Sequence, residues 1–570
     1  MKPFYGIDLG TTNSVICTLD DANQPYVYPI GRQDTYTVPS VVWYPQGQKP
    51  VVGHLAKNYL PAHPELCVQY VKREMGSETF HRIINGDDKT PQKVSADILR
   101  YLVDKANAVR RDNGEQDVND VVVSVPAKFG LIERQHTIEA VRDAGLNLIA
   151  LVHEPTAAAL SFGIKKEDNK TFIVYDLGGG TFDINIMRVS GNKLKTLAKG
   201  GDLKCGGIDW DRAIVEMGLA GTGDHRALEI IQDRLNLVPE FLSTDEGQAM
   251  LSKAEEIKIS ICDPNCHFDL DYIFQFNGKT HTVRIRKDQF IRNTSGLVSK
   301  TIDTMENTIR EAGIAMDNLS NEVDEIIMVG GGAYMPQIES AIRTRFNVKN
   351  IHRQEPGLAI AKGAAIFAGL RDKSWANTLA ESGEMDRPAT PMAEPQTQTR
   401  VQPAPNPVPN PVSVQAPVER TAPAPTPQTR RAPAPQQNDR VVTMEEQVEI
   451  EEIGGHSYGI AFQNGPYFSI RNVILKTDEL VVNKEFNRQF KTTKQAKNRL
   501  TIDVRENDSA ELIVREAKRY RCITPNTVMI LPENTPVGTY VDIKMSRDIN
   551  GIITLSASCQ GRTIRISIKS

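Results

Sequence analysis

The sequence lacks several features that mark whole classes of protein. It has seven cysteines in 570 residues and no Cys-x-x-Cys pair, so neither a zinc site nor a disulfide framework is indicated. Its 67 basic and 71 acidic residues nearly balance, which argues against a nucleic-acid partner. No apolar run reaches the roughly 18 residues that a membrane span needs. The first glycine motif begins too early to leave room for a signal peptide, so we expect a cytoplasmic protein.

Proline is concentrated in one stretch. Residues 387–440 hold 14 of the 33 prolines. Such a segment cannot bury enough apolar area to offset the entropy of ordering it. We therefore predict a disordered, proline-rich linker over 376–440, and we prefer a plain linker to a ligand for a proline-binding partner.

The sequence pattern differs on the two sides of this linker. Residues 1–375 alternate strand-like runs such as 171–178 with helical patterns such as 95–112, which predicts an α/β domain. Residues 441–570 contain short runs with alternating apolar and polar residues, which predicts a C-terminal β-sandwich. Asn550-Gly551 lies between two of these runs and predicts a hairpin with a type I′ turn.

Two similar glycine-rich phrases occur in the first part, GIDLGTTNS at 6–14 and YDLGGGTFD at 175–183. A strand that ends in Asp and continues into glycines and Thr forms a tight turn whose N–H groups can approach a phosphate. The Asp can hold Mg²⁺, directly or through water. Two such turns that face each other would hold a polyphosphate from both sides, whereas a single copy also fits a plain β-turn. The chain has no P-loop signature.

A third glycine cluster, IIMVGGGAYMP at 326–336, follows another apolar run. Its glycines would allow close approach of a base or a ribose. The alternative interpretation is an ordinary turn between a strand and a helix.

Five phrases, taken together and in order, resemble the DnaK-type seventy-kilodalton heat-shock chaperone family over residues 1 to about 370. They are GIDLGTTNS, VHEPTAAALSFG, VYDLGGGTFDI, CGGIDWD and VGGGAYMP. The resemblance implies an actin-like α/β ATPase domain, which is a duplicated ribonuclease H-like fold. It also implies that ATP or ADP binds with Mg²⁺ between two lobes.

The same resemblance implies the site residues. The carboxylates around Mg²⁺ are Asp8 and Asp176. The catalytic residues are Lys72, Glu154, Asp176, Thr181 and Asp183. The residues that contact the phosphates are Gly10, Thr11, Thr12, Asn13, Gly178, Gly179 and Gly180. The residues on the adenosine side are Gly206, Gly207, Glu255, Lys258, Gly331, Gly332 and Tyr334.

Three of these assignments have plain alternatives when the residues are taken alone. Lys72 is then a solvated surface lysine. Glu255 and Lys258 are then an ordinary exposed helix face. Tyr334 lies where the family usually has an arginine, and it either stacks on adenine or belongs to the core.

The chain departs from the family in four places. The linker replaces a short leucine-rich segment and is followed by EEQVEIEE at 445–452, whose Val448 and Ile450 could dock as a strand. Pro126 and Arg134 match the family's switch residues, but Lys128, Gly130 and Leu131 replace its Tyr, Asn and Asp. Ala150 replaces an arginine used by J-domain co-chaperones. We also expect no helical lid after the β-region, so bound peptide should exchange quickly.

The resemblance implies an ATP-dependent molecular chaperone. Its C-terminal β-domain would bind unfolded or extended polypeptide segments, and its partners would include a J-domain co-chaperone and a nucleotide exchange factor. Two alternatives remain open at this point. One is a nucleotide-switched binding scaffold for a specific protein partner, and the other is a small-molecule kinase of the same fold.

Overall fold

A computed structural model gives the coordinates of the chain. It describes residues 3–31, 35–77, 79–163, 169–190, 193–233, 236–237, 239–242, 244–263, 265–346, 348, 350–353, 355–381, 449–451, 456–464, 467–475, 484–491, 499–509, 511–515, 520–524, 528–531, 535–536, 538–548 and 550–567. Most of the predicted linker therefore lies outside the described residues. Those up to Ser374 and those from Glu449 onward belong to one compact unit.

Among the described residues, the first half of the α/β part contains eleven strands and four α-helices. The strands are β1 (Tyr5–Asp8), β2 (Asn13–Leu19), β3 (Pro25–Val27), β4 (Val38–Pro39), β5 (Val41–Trp43), β6 (Val51–Val52), β7 (Cys67–Gln69), β8 (Ile83–Ile84), β9 (Asp87–Asp88), β10 (Asp120–Val125) and β11 (Asn147–His153). The helices are α1 (His54–Tyr59), α2 (Pro91–Asp112), α3 (Leu131–Asp143) and α4 (Glu154–Ser161), with short 3₁₀ helices at Pro64–Leu66 and Val71–Glu74.

In the part of the second half that the structure describes, there are nine further strands and nine α-helices. The strands are β12 (Asn169–Leu177), β13 (Phe182–Ser190), β14 (Lys193–Asp202), β15 (Ile231–Asp233), β16 (Asn236–Leu237), β17 (Leu270–Phe276), β18 (Lys279–Ile285), β19 (Glu325–Val329) and β20 (Asn350–His352). The helices are α5 (Gly207–Thr222), α6 (His225–Ile230), α7 (Pro239–Leu242), α8 (Asp245–Cys262), α9 (Lys287–Asn293), α10 (Ser295–Glu311), α11 (Leu319–Glu322), α12 (Pro336–Arg345) and α13 (Ala359–Glu381), with 3₁₀ helices at Met316–Asn318 and Gly331–Tyr334.

The two halves repeat one sheet topology. The first sheet has the order β11-β10-β1-β2-β3, and the second has the order β20-β19-β12-β13-β14. In each sheet the first three strands of the half run as an antiparallel meander, and the later two join in parallel. The repeated phrases therefore occupy equivalent positions, at the turn between the first two strands of each sheet.

The helix over residues 95–112 illustrates why the predicted pattern folds as it does. In the structure α2 begins earlier, at Pro91, because Thr90 caps it by accepting a hydrogen bond from the Lys93 N–H. Its buried residues include Val94 and Ile98, which are one turn apart on the face toward the first sheet's core.

The end of the α/β part is helical for longer than predicted. Helix α13 continues to Glu381 and so enters the predicted linker. None of the described helices combines the length and the apolar character that crossing a lipid bilayer requires.

The C-terminal part contains only strands among its described elements. They are β21 (Glu449–Glu451), β22 (Ser457–Asn464), β23 (Tyr467–Ile474), β24 (Phe486–Lys491), β25 (Arg499–Thr501), β26 (Val504–Asn507), β27 (Ile513–Arg515), β28 (Val528–Ile530), β29 (Tyr540–Arg547), β30 (Ile553–Cys559) and β31 (Arg562–Ser567). Apart from β21, they form two four-stranded antiparallel sheets, β26-β22-β23-β27 and β24-β29-β30-β31, and the pair β25-β28. Buried side chains from both four-stranded sheets share one apolar cluster.

The predicted turn type at Asn550-Gly551 is wrong, although the hairpin of β29 and β30 is confirmed. Only Gly551 has a positive φ, of +78°, whereas a type I′ turn needs positive φ at both central residues. The loop is longer than two residues, because the Asp548 N–H donates to the Ile552 carbonyl. Asp548 also accepts a hydrogen bond from the Asn550 N–H and so acts as an Asx cap.

The strand predicted near 448–450 docks on the α/β part. Strand β21 pairs in parallel with β14, and Ile450 lies opposite Leu194. The prediction for Ile450 is therefore confirmed, and Val448 lies outside the described residues. In this register, residues 449 and 451 lie opposite Lys193 and Lys195.

The residues that depart from the family pattern before Arg134 touch the C-terminal sheets. Leu131 is fully buried and belongs to the same apolar cluster as the residues of those sheets. The Lys128 carbonyl is 2.9 Å from the His456 ring. A Cβ on Gly130 would lie 2.5 Å from the Glu506 carboxylate. The substitutions therefore build a contact surface between the two parts of the chain.

Candidate functional site

The first glycine-rich turn, between β1 and β2, is fixed by side chains from other segments. Asp8 accepts a hydrogen bond from Ser124 Oγ at 2.9 Å. The Gly10 carbonyl accepts one from Ser40 Oγ at 2.7 Å. Asn13 begins β2 with its side chain exposed. These hydrogen bonds therefore fix the position of the turn and of its backbone amides.

The second glycine-rich turn, between β12 and β13, presents buried carboxylates. Asp176 and Asp183 lie directly opposite each other in the two strands. The Gly178 N–H donates to the Thr181 carbonyl at 3.0 Å, which closes the turn. One oxygen of Asp176 and both oxygens of Asp183 are buried without a well-aligned hydrogen-bond donor among the described residues. Such acceptors are costly unless a ligand satisfies them.

The tips of the two turns are in contact. A Cβ on Gly179 would lie 1.8 Å from Thr12 Oγ1, and a Cβ on Gly180 would lie 2.5 Å from Thr11 Cγ2. The turns therefore face each other, as the repeated phrase predicts, and glycine is what permits the close approach.

Lys72 lies beside these turns in the short helix Val71–Glu74. It is 5% exposed and forms an ion pair with Glu154, the first residue of α4, which is also 5% exposed. The surface-lysine alternative is therefore wrong. Burial lowers the pKa of Lys72, but Glu154 and Asp8 more than offset this and the net pKa is raised, so the ammonium stays charged.

The carboxylates around Lys72 outnumber it. Burial raises the pKa of Asp8 to about 6, against the opposing effect of Lys72. Burial also raises the pKa of Asp183 to about 7, and Glu154 adds to the effect. The pKa of Asp176 lies well above its ordinary value because of burial and then the charges of Glu154 and Asp183. Ionising all of these carboxyls together would bury an excess of negative charge, which a bound cation would relieve.

Gly206 and Gly207 join the start of α5 to the second turn. The Gly207 N–H donates to the Gly178 carbonyl at 3.0 Å. A Cβ on Gly206 would lie 2.4 Å from the carbonyl carbon of Gly180. Backbone contacts at the start of α5 thus stabilise the second turn.

Glu255 and Lys258 lie about one turn apart on α8 and both carry ion pairs. Glu255, which is 7% exposed, lies 2.6 Å from Lys57 Nζ of α1. Lys258 Nζ lies 2.8 Å from Asp211 and donates to the Gly207 carbonyl at 2.9 Å. The exposed-face alternative is therefore wrong, and the pair with Lys57 links the two halves of the α/β part.

The third glycine cluster forms a turn from β19 into the helix Gly331–Tyr334. Gly332 is buried, and a Cβ on Gly331 would meet no atom within 4 Å. Tyr334 is 56% exposed, so the core alternative for this residue is wrong. Its ring is free of the core and available to a flat ligand.

Comparison with known proteins identifies the family. The model of the Hsp70 protein family matches residues 4–89 and 79–377. The chain belongs to the Hsp70 family. It is 30% identical over 374 residues to the chaperone protein DnaK of Halobacterium salinarum strain ATCC 29341 / DSM 671 / R1. The same figures hold for DnaK of strain ATCC 700922 / JCM 11081 / NRC-1.

The match to the DnaK relatives covers only part of each chain. It covers 65% of this chain and 56% of the length of those DnaK relatives, so the chain spans little more than half of each. Family membership assigns the actin-like ATPase fold to the matched residues, in agreement with the two repeated sheets. The C-terminal sheets begin beyond the family match.

Hsp70 proteins bind ATP or ADP with Mg²⁺, and the residues at the two glycine-rich turns fit such a ligand. Asp8 and Asp176 supply the hard oxygen donors that Mg²⁺ prefers, and Asp176 Oδ2 is buried without a hydrogen-bond partner. Within the part of the chain that the structure describes, no three His, Cys, Asp or Glu side chains form a group that could hold a metal ion. Phosphate oxygens and water would have to complete the coordination.

Sequence reasoning missed several residues that contact the predicted site residues. Arg73 Nε donates to the Gly180 carbonyl at 2.8 Å, and its Nη2 lies 2.6 Å from Asp209. Both had a local signal, because Arg73 follows Lys72 and Asp209 lies within CGGIDWD. Lys57 and Ser40 had none, since only the fold brings them to the site.

Proposed function

We propose that this Hsp70 chain is an ATP-dependent chaperone that hydrolyses ATP between the two glycine-rich turns. The observation that carries the proposal is the meeting of these turns beside the buried pair of Lys72 and Glu154. Hydrolysis of a phosphoanhydride needs charge neutralisation and an oriented water more than a strong base, and this arrangement offers both.

The roles of the residues follow from their placement. Lys72 would stabilise the charge that develops on the transferred phosphoryl group. Glu154 would accept a hydrogen bond from the attacking water, and Thr181 would orient it through its hydroxyl. Mg²⁺ bound near Asp8 and Asp176 would neutralise phosphate charge. The N–H groups of the turns would bind the phosphate oxygens.

The C-terminal sheets would bind extended polypeptide. Two four-stranded sheets that share a core suit a β-sandwich, in which an edge strand can offer backbone N–H and C=O groups to a further strand. An extended peptide can pair with such an edge and place alternate side chains in a pocket. We propose domain limits of 1–375, 376–440 and 441–570, with the middle segment as a linker.

The co-chaperones are part of the same proposal. A J-domain protein and a nucleotide exchange factor would act on the α/β part. Ala150 lies in β11 and is fully buried, so a J-domain partner would have to use residues other than that position.

Replacing Lys72 by alanine tests the ATPase half. In the full chain, Lys72→Ala should lower single-turnover hydrolysis at least about 100-fold, since loss of one charge-stabilising group has effects of this size. The Kd for ATP with Mg²⁺, measured by calorimetry, should stay within about threefold because the turns provide most of the binding.

Lys105→Ala is the matched control, because Lys105 is exposed on α2. It should leave both quantities unchanged. Absence of ATP binding in the unsubstituted chain, or a normal rate in Lys72→Ala, would refute the proposal.

Peptide stimulation tests the chaperone half. Unfolded peptides should raise the steady-state hydrolysis rate several-fold in the full chain. A rate insensitive to every peptide, together with one specific protein partner, would instead support the binding scaffold. Phosphate transfer to a small alcohol would support the kinase.

A further inference from the structure

The C-terminal sheets contact the segment that carries Lys72. Arg521 Nη2 donates to the Gly76 carbonyl at 3.0 Å, across 445 positions of sequence. Its Nη1 lies 3.5 Å from Glu133 of α3. One side chain of the C-terminal part thus binds both the end of the Lys72 segment and the helix against which that segment lies.

The Lys72 segment is short and is held closely. The Met75 N–H donates to the Lys72 carbonyl, so the turn continues directly toward Gly76. Gly76 has φ of +86°, and a Cβ there would lie 2.5 Å from Glu133 Oε1. The Gly76 N–H is 3.2 Å from His136 Nδ1 on the same helix. Displacement of Gly76 would therefore be transmitted to Lys72 through only the three residues between them.

Arg521 is itself fixed by the contact between the two parts. Its carbonyl accepts a hydrogen bond from the Glu506 N–H at 3.1 Å. The Glu506 carboxylate accepts hydrogen bonds from the Leu131 N–H at 3.0 Å and from Tyr458 Oη at 2.7 Å. Glu506 thus caps the first turn of α3, and Arg521 lies beside this cap.

The charges at this contact favour an arginine. Glu133 and Glu506 are both acidic, and the side chain of Glu133 is 16% exposed. Burial raises the pKa of Glu133, Glu506 adds to this effect, and Arg521 opposes it. Arg521 therefore offsets a local repulsion while it donates to the Gly76 carbonyl.

We propose that Arg521 is a positioning residue for ATP hydrolysis. It holds residues 72–76 against α3, so that the position of Lys72 depends on the contact with the C-terminal sheets. The kinetic part of this inference rests on the function proposed above, whereas the structural part does not.

Arg521→Ala in the full chain tests the inference. Single-turnover hydrolysis should fall about 3- to 10-fold, the size expected when a catalytic group is misplaced by a fraction of an ångström. The Kd for ATP with Mg²⁺ should change less than about twofold, because binding does not use Arg521. Arg521→Lys should restore part of the rate.

Amide hydrogen exchange of the nucleotide-free protein gives a second readout. In Arg521→Ala the amides of Arg73, Met75 and Ser77 should exchange faster, and those of α10 should not change. Arg505→Ala is the matched control, since Arg505 binds Asp503 and the Tyr520 carbonyl within the C-terminal part. It should leave the exchange of residues 73–77 unchanged.

The outcomes separate this inference from the proposed function. Unchanged exchange of residues 73–77 in Arg521→Ala would overturn it, as would a normal hydrolysis rate. Equal losses of rate and ATP affinity that Arg521→Lys does not restore would show a merely structural role. If the unsubstituted chain binds no ATP, the proposed function fails while the exchange measurement still decides whether Arg521 holds the segment. If Arg521→Ala does not fold, the exchange of Arg521→Lys decides.

Discussion

The two glycine-rich turns have similar sequences, but different groups stabilise them. The first turn is fixed by hydroxyl groups, since Ser40 binds the Gly10 carbonyl and Ser124 binds Asp8. The second turn is fixed by the backbone of α5, and Asp176 and Asp183 keep buried oxygens without aligned donors. The two halves therefore share the geometry of the turn, but the buried carboxylate oxygens without aligned donors lie in the second turn.

This difference gives the two turns different roles before and after a ligand binds. A turn whose carboxylate has hydrogen-bond partners is stable before any ligand binds. A turn with unsatisfied carboxylates is less stable alone and gains most when a cation arrives. We therefore expect replacement of a carboxylate in the second turn to stabilise the empty protein, and replacement of the carboxylate in the first turn not to do so.

The largest expected effect comes from the backbone support of the second turn. Gly206→Ala places a Cβ 2.4 Å from the backbone of Gly180, so the turn or α5 must move, at a cost of about 1–3 kcal/mol. Thermal unfolding of the nucleotide-free protein should show this loss, and ATP affinity should fall more than about tenfold as the turns separate.

Gly331→Ala is its control, because a Cβ at Gly331 meets no atom within 4 Å. Its nucleotide-free unfolding temperature should remain that of the unsubstituted chain. Equal losses of stability in the two variants would contradict the backbone support.

A smaller effect should distinguish the carboxylates of the two turns. Asp176→Asn removes a buried carboxyl that is costly to ionise, because burial and the neighbouring carboxylates raise its pKa well above its ordinary value. The nucleotide-free protein should therefore become more stable, by about 1 kcal/mol, at the cost of Mg²⁺-dependent ATP binding.

Asp8→Asn should weaken the same binding without the gain in stability, because Asp8 already has Ser124 and Lys72 as partners. Denaturant unfolding and calorimetry of both variants test this. Similar stability changes in the two variants would remove the distinction between the turns.

The smallest expected effect is a dependence of stability on pH. Burial raises the pKa of Asp8 to about 6 and that of Asp183 to about 7, above the value of about 4 for an unfolded Asp. Between these limits the native state binds more protons than the unfolded state, so stability is lost as pH rises.

The unfolding free energy of the nucleotide-free protein should therefore fall from pH 5 to pH 8. Mg²⁺ with ATP should reduce the slope because the cation favours the ionised carboxylates, and Asp183→Asn should reduce it as well. A stability that rises over this range would show that these carboxylates are not buried as described.

Much of the site could be predicted because its signals are local. A strand that ends in Asp and continues into Gly and Thr specifies a turn by backbone sterics alone, and the second copy specifies a partner for it. Lys72 needed the family resemblance, because nothing in its neighbours shows that the side chain is buried. Its burial follows from the ion pair with Glu154, which lies 82 positions away.

Other features could not be predicted because they depend on contacts between distant segments. Asn550-Gly551 has the sequence of a type I′ turn, yet Leu151 N–H donates to Asn550 Oδ1 at 3.0 Å and Arg134 lies against Gly551. Strand β21 pairs with the distant strand β14, and its register sets residues 449 and 451 opposite Lys193 and Lys195. Local propensity is a weak guide where another segment supplies the stabilising contact.

The sequence by itself determined the two turns, the alternation of strands and helices and the change of pattern after the proline-rich stretch, since each depends on sterics or periodicity within a few residues. Only the tertiary structure decided which carboxylates lack partners, how Lys57 reaches Glu255 and that Arg521 binds the Lys72 segment. Charge and hydrogen bonding act through space, so residues hundreds of positions apart become neighbours only when the chain has folded.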